Sequence, residues 1–159
     1  VATSALIQLL DDVDWGELDL LVVDLPPGTG DTQLTMAQEL KSAVALVVTT
    51  PQVVATDDVR RATRMLQEVG VPIAGVVENM SAFIAPDGTR VPLFGEGGGR
   101  LLAEQYRLPF LGEIPLDVAV RVSGDAGTPL AVSGTSGQKK WYGDVADALL
   151  ATGKLQPRT

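Results

Sequence analysis

Polar side chains that could do chemistry stand directly behind two short apolar runs of this sequence. Asp24 ends the run at residues 20–24, and Asn79 follows the run at residues 73–77. A carboxylate fixed at the end of a buried strand can hold the water shell of Mg²⁺, as a nucleotide hydrolase requires. Capping of the following helix is the alternative role for Asp24.

The loop behind Asp24 reads Pro-Pro-Gly-Thr-Gly over residues 26–30 and ends at Asp31. Its glycines and free backbone N–H groups, at the start of a predicted helix, suit an anionic oxygen such as that of a phosphate. We therefore take Asp24, Gly28 and Asp31 as candidate catalytic residues, with Asp24 also the candidate metal ligand.

The runs at residues 73–77 and 110–114 lead to a second group of candidates, Asn79, Pro115 and Asp117. An asparagine carries a donor and an acceptor, which match the exocyclic amine and a ring nitrogen of adenine. Satisfying loop backbone groups is the alternative role for Asn79. Pro115 is predicted to stiffen a turn, and Asp117 to cap a helix.

Several kinds of site are excluded because their residues are missing. The chain has no cysteine and no histidine, which rules out disulfides, thiolate or imidazole zinc sites and a Ser-His-Asp triad. None of its four lysines stands in a Gly-Lys-Ser/Thr sequence, so a Walker A loop is absent. The glycine run at residues 95–99 fails the dinucleotide fingerprint at Arg100 and predicts a flexible helix entry.

Charge and hydropathy exclude further classes. The 159 residues include 12 Lys and Arg against 20 Asp and Glu, a net charge of −8 that disfavours nucleic acid. No apolar stretch reaches the roughly 18 to 20 residues needed to cross a bilayer, and the first residues given lack the basic-then-apolar pattern of a signal peptide. We expect a cytoplasmic protein without membrane or nucleic-acid partners.

The elements that must position these residues alternate along the chain. Apolar runs predict strands at residues 20–24, 43–49, 73–77 and 110–114, and amphipathic stretches predict helices at 4–12, 32–41, 56–69, 99–106 and 139–151. Thr56 or Asp57 is predicted to cap the third helix. This order indicates one α/β domain over residues 1–152, a three-layer parallel sheet with helices on both faces, followed by a frayed tail at 153–159.

Six motifs together resemble the Mrp/ApbC family, which are MinD-like P-loop ATPases described as iron-sulfur cluster carriers. They cover about residues 4–132 in family order and read DWGELD at 14–19, DLPPGTGD at 24–31, TPQ with DVRR at 50–61, ENMS at 78–81, FGEGGG at 94–99 and GEIPLD at 112–117. The resemblance implies a P-loop NTPase fold that binds ATP and Mg²⁺.

The same resemblance implies roles for single residues. Asp24 corresponds to the Walker B acid near Mg²⁺, Gly28 to a backbone sensor of the γ-phosphate, and Asn79 to an adenine contact. The turn from Pro115 to Asp117 corresponds to one that closes over the base.

The chain departs from the family pattern in two places. The family's Walker A loop lies upstream of the position of Val1, so the chain resembles the C-terminal portion of an ATPase domain, incomplete at the N-terminus. Many members also carry Cys-x-x-Cys behind Asn-Met-Ser, where this chain has Ala85 and Gly88. Because iron-sulfur clusters need thiolates, this chain has no means to bind one in the family's way.

The resemblance therefore implies part of a homodimeric ATPase that assists iron-sulfur or metalloprotein clients, with hydrolysis belonging to the intact protein and not to this chain alone. A non-catalytic MinD-like adaptor, acting through protein contacts, is the alternative that the missing cysteines favour. A partitioning ATPase at DNA or membrane surfaces is disfavoured by the acidic charge and the lack of a basic amphipathic C-terminal helix.

Overall fold

The computed structural model of the chain describes residues 2–25, 30–40 and 42–155. It contains helices and strands in alternation, with bounds as follows: α1 (Ala2–Asp11), α2 (Asp31–Glu39), β1 (Ala45–Thr49), α3 (Val53–Glu68), β2 (Ile73–Ile84), β3 (Arg90–Val91), α4 (Gly98–Tyr106), β4 (Phe110–Leu116), α5 (Val118–Asp125), α6 (Leu130–Ser133) and α7 (Ser136–Ala151).

Strand β2 is the centre of the sheet. It pairs in parallel with β1 on one side and with β4 on the other, and its far end pairs with β3 in antiparallel. The first six residues of β2 are all buried, because helices cover both faces of this strand. This agrees with its continuous apolar sequence, which is typical of a central parallel strand.

Two hydrophobic clusters hold the layers together. On one face, Val47, Val76 and Leu102 join β1, β2 and α4 in a cluster that α3 also enters. On the other face, Val77 and Ile114 pack against Trp141 and other residues of α7. The predicted α/β sheet with helices on both faces is therefore confirmed for its central strands.

The second face of β1 is open. Val47 and Thr49 are buried, whereas Leu46 and Val48 are 42% and 51% exposed. Among the described residues, β1 is covered by helices on one face only. It is also an edge strand, because it pairs with β2 alone.

The first predicted strand, at residues 20–24, is wrong in this structure. Residues 12–25 form no helix or strand, and Val22 is 81% exposed. An apolar run becomes a strand only where a neighbouring strand takes up its backbone N–H and C=O groups. Among the described residues, β1 pairs with β2 alone, and no strand pairs with the run at residues 20–24.

Other differences concern element ends. Helix α3 begins at Val53 behind Gln52, so the predicted caps Thr56 and Asp57 lie inside it. The Thr56 hydroxyl donates instead to the Val53 carbonyl at 2.9 Å, a bond that a helix interior allows. The short elements β3 and α6 were not predicted, because two to four residues carry little periodicity. Helix α5 was predicted only through its cap, Asp117, without an end.

The last helix begins with strong local signals. Thr135 and Gln138 form a capping box at the start of α7, each side chain accepting a backbone N–H of the other. Within the predicted tail, Lys154 Nζ donates to the Ile73 carbonyl. No helix in the described part of the chain is long and apolar enough to span a membrane.

Candidate nucleotide site

The carboxyl ends of β1, β2 and β4 meet at one edge of the sheet, because the three strands are parallel. The register places Thr49 beside Glu78 and Asn79 beside Ile114, one residue before Pro115. Open parallel sheets bind ligands at this edge. The structure therefore places Asn79 close to Pro115, while Leu116, the residue before Asp117, pairs with Phe83 further along β2.

Asn79 occupies an irregular part of β2. Its Oδ1 accepts the Met80 N–H at 2.9 Å, and Met80 has a left-handed backbone with φ 53°, which is uncommon for a residue with a side chain. The Asn79 Nδ2 group makes no hydrogen bond to any described residue, and the side chain is half-buried. A fixed amide with a free donor is suited to a polar ring edge.

Asp117 is a helix cap in this structure. Its carboxylate accepts the Ala119 N–H at 2.7 Å at the start of α5, and it also accepts Gln138 Nε2 of α7 at 3.1 Å. Burial raises the pKa of Tyr142 on α7, and the charge of Asp117 adds to that shift. The predicted capping role of Asp117 is thus confirmed, and its carboxylate links α5 to α7.

Pro115 lies inside β4 and not in a turn. It is buried between Ile114 and Leu116, and the register between β2 and β4 is irregular beyond Ile114. A proline has no N–H for the ladder, so this irregularity is where a strand can hold one. The turn predicted at Pro115 is therefore wrong: the strand continues to Leu116, and Asp117 follows as the extended N-cap of α5.

The candidates Asp24 and Asp31 lie on either side of the first loop, residues 26–30. Asp24 is exposed in the irregular segment 12–25, and Asp31 is the first residue of α2, directly behind its N-cap Gly30. Gly28 lies outside the described residues, and nothing is described of the Asp31 side chain. Helix α2 begins directly behind this loop, and the anion-binding role of the loop backbone stays a prediction.

The sequence did not lead us to Glu78, which is the most deeply buried acid described. It is 1% exposed, and its Oε2 accepts the Gly99 N–H of α4 at 2.6 Å. Burial raises the pKa of Glu78 above its ordinary value, with hydrogen bonds from Gly99 and Gly97 acting against that shift. The signal was an acid continuing an apolar run, which is unusual in a buried strand.

Gly98 and Gly99, the first two residues of α4, are closely packed, whereas a Cβ atom on Gly95 or Gly97 would meet nothing within 4 Å. A Cβ atom on Gly98 would lie 2.2 Å from the Pro51 carbonyl oxygen. A Cβ atom on Gly99 would lie 2.9 Å from Glu78 Cβ. These glycines allow the start of α4 to touch the loop behind β1 and the end of β2.

Comparison with known proteins gives the family. A model of the family described as ParA, the NUBPL iron-transfer P-loop NTPases, matches residues 1–150. The chain is 58% identical to the iron-sulfur cluster carrier protein of Deinococcus radiodurans over 127 residues, covering 79% of this chain and 36% of that protein. It is 44% identical to the protein of the same name from Pyrococcus furiosus over 151 residues, covering 94% of this chain and 51% of that protein.

Solved structures agree. A nucleotide-binding protein from Archaeoglobus fulgidus, in complex with ADP and with Co, has a TM-score of 0.70 and 41% identity, covering 79% of this chain and 52% of that one. The cell division ATPase MinD of Pyrococcus furiosus has a TM-score of 0.64 at 20% identity, covering 94% and 56%, and shows the shared fold.

The fold is that of a P-loop NTPase of the MinD-like class. This chain belongs to the family of iron-transfer P-loop NTPases that includes the iron-sulfur cluster carrier proteins. The resemblance drawn from six sequence motifs is confirmed. The chain spans between 36% and 51% of the length of these two carrier proteins.

Proposed function

We propose that this chain supplies the base-side part of an ATP site in an ATPase that carries or assembles iron-sulfur clusters. One observation carries the proposal: Asn79 stands at the ligand-binding edge of the sheet with its amide orientation fixed and its Nδ2 donor free. The relative from Archaeoglobus fulgidus that was solved with ADP supports a nucleotide as the ligand.

The donor groups at this edge fit adenine. Because the Met80 N–H fixes Oδ1 of Asn79, the Nδ2 group is held ready to donate to a ring nitrogen. The second lone pair of Oδ1 is available to accept from the exocyclic amine. Asp117 acts on the same side as a positioning residue, since its two hydrogen bonds hold α5 and α7 at the end of β4.

The phosphate side is proposed from Asp24, Gly28 and Asp31. Mg²⁺, when bound, neutralises charge that develops on the transferred phosphoryl group. Asp24 would hold a water of that ion, and the backbone N–H groups of loop 26–30 would donate hydrogen bonds to a phosphate oxygen at the start of α2. No lysine of this chain stands in a Walker A sequence, so that group must come from outside these 159 residues.

The cluster is treated as cargo, and its ligands lie elsewhere. With no cysteine among the 159 residues, thiolates for a cluster must be supplied by other segments or other chains. A homodimer acting on iron-sulfur client proteins in the cytoplasm is therefore part of the proposal. The carrier proteins among the relatives favour this function over a non-catalytic adaptor.

Nucleotide binding to the full gene product that contains this sequence tests the base-side assignment. Asn79→Ala removes both amide contacts, and we expect ATP to bind more weakly by about 1–3 kcal/mol, or roughly five- to a hundredfold. Titration calorimetry with ATP and with GTP measures the loss, which should fall on ATP because only adenine matches this donor and acceptor pair.

The matched control is Gln67→Ala, which removes an exposed amide near the end of α3, before β2 begins. We expect it to leave both affinities unchanged. Equal ATP affinity and equal selectivity in Asn79→Ala, Gln67→Ala and the unaltered protein would contradict the assignment of Asn79.

A further inference from the structure

A polar cavity lies on the face of the sheet opposite to the Asn79 amide. Glu78 follows Val76 on the face that packs under α4, whereas Asn79 follows Val77 on the face that packs under α7. The cavity has a volume of about 290 Å³. Its polar lining includes Glu78, Ser81, Arg90, Glu96 and Glu113.

The cavity has an excess of negative groups. It is lined by three carboxylates and one guanidinium, that of Arg90. Arg100 also interacts with Glu78, but its guanidinium is stacked over the Phe110 ring at 4.3 Å. The charge of Glu113 opposes ionisation of Glu78, so its pKa is raised further than by burial alone. A bound cation would relieve this repulsion.

Ser81 gives the second and independent indication of a ligand. It is 4% exposed, and its Oγ has no hydrogen-bond partner among the described residues. Buried hydroxyl groups in folded proteins are nearly always hydrogen-bonded, because an unsatisfied one is costly. Ser81 lines the cavity, so a ligand there can supply the missing partner.

A cationic side chain, that of Arg90, already donates a hydrogen bond at the rim of the cavity. Arg90 of β3 donates to Glu113 Oε2 at 3.2 Å, and both side chains are partly exposed. An exposed pair of this length contributes little to stability. Because Arg90 contacts only Oε2 of Glu113, the other carboxylate oxygen can accept a hydrogen bond from a ligand, as can the Ser81 hydroxyl.

The spacing of the acids favours an organic cation over a metal ion. In the described part of the chain, no three acidic side chains come close enough together to hold one metal ion. An ammonium group instead donates separate N–H bonds to acceptors placed around it. The cavity volume is near the lower end of the range for small-molecule sites, which favours a small ligand.

We propose that this cavity binds the ammonium group of a small primary amine, with Ser81 Oγ and Glu113 as the principal acceptors and the carboxylate of Glu78 beside them. The site is distinct from the proposed nucleotide site, since it lies on the other face of β2. Its test therefore does not depend on ATP binding.

The test is a titration of the ¹⁵N-labelled full chain with n-propylammonium chloride at constant ionic strength, followed by amide NMR shifts. We expect saturable shifts at Ser81, Gly97 and Gly99. Tetramethylammonium has the same charge but no N–H donor, and should produce none of them. Ser81→Ala should weaken binding of n-propylammonium about tenfold, since it removes one acceptor to a charged donor.

Glu113→Gln is the second variant and should also weaken binding about tenfold, because it removes a charged acceptor at an exposed position that folding tolerates. Glu104→Gln, on the exposed side of α4, is the matched control and should bind as the unaltered chain does. The proposal is overturned if both ammonium ions give the same shifts, if Mg²⁺ saturates them in place of the amine, or if Ser81→Ala and Glu113→Gln keep full affinity.

Discussion

Replacement of Gly98 by alanine tests the packing that joins α4 to the ligand-binding edge of the sheet. The new Cβ atom would lie 2.2 Å from the Pro51 carbonyl oxygen and 2.8 Å from its carbonyl carbon. Both are backbone atoms, which cannot turn aside as a side chain can. Overpacking of this kind costs about 1–3 kcal/mol.

Alanine also favours a helix over glycine by about 0.5–1 kcal/mol, which offsets part of that cost. The difference of these contributions spans about 0–2.5 kcal/mol, so we expect Gly98→Ala to lower the free energy of unfolding by about 1 kcal/mol. Urea unfolding of the full chain, followed by circular dichroism, measures this as a lower midpoint at an unchanged m-value.

Gly143→Ala is the matched control, because Gly143 lies inside α7 and a Cβ there would meet no atom within 4 Å. It should raise the free energy of unfolding by about 0.5–1 kcal/mol. The two glycines thus predict opposite signs. A gain in stability for both variants would refute the close approach of Gly98 to Pro51.

Two further predictions concern buried or capping carboxylates. Because burial raises the folded-state pKa of Glu78 above its ordinary 4.5, its contribution makes stability fall as pH rises from 4.5 through that raised pKa. Glu78→Gln should remove this contribution. The thermal midpoint of the variant should then fall less between pH 4.5 and neutral pH than that of the unaltered chain, and parallel profiles of midpoint against pH would contradict this. Asp117→Ala should destabilise the chain by about 0.5–2 kcal/mol in urea, while Asp117→Asn, which keeps an acceptor for the Ala119 N–H, should recover most of the loss. Equal losses in the two variants would show that the cap is not the cause.

The sequence predicted the central elements of the fold well. Continuous apolar runs predicted β1, β2 and β4, and the amphipathic periodicity predicted α1, α2, α3, α4 and α7 within a few residues. Both signals are strong where an element is buried on a defined face. The continuation of β2 beyond residue 77 was missed, because Glu78 and Asn79 interrupt its apolar run.

The run at residues 20–24 has the same apolar character as the confirmed strands and yet forms none. Composition specifies that a segment should be buried, but a strand also needs a neighbour in register. Which strand lies beside which is a property of the whole sheet. That information is not contained in the run itself.

The sequence pointed to Asn79 and Asp117 because each follows an apolar run, and parallel strands bring their carboxyl ends together. In the structure Asn79 lies within β2 and Asp117 directly follows β4, and their roles toward a nucleotide stay predictions. The acidic cavity was missed because it depends on contacts between residues far apart in sequence. Glu78, Arg90 and Glu113 come from three different strands, and only the register of β2 with its neighbours brings them to one place.

Magnesium-dependent ATP turnover by the full gene product that contains this sequence tests the central claim most directly. Asp24→Asn should lower turnover about a hundredfold or more, of order 3 kcal/mol of transition-state stabilisation. Asp19→Asn, an exposed acid of the same segment, should leave it unchanged. Turnover that ignores Mg²⁺, or that is equal in the two variants, would contradict the ATPase account.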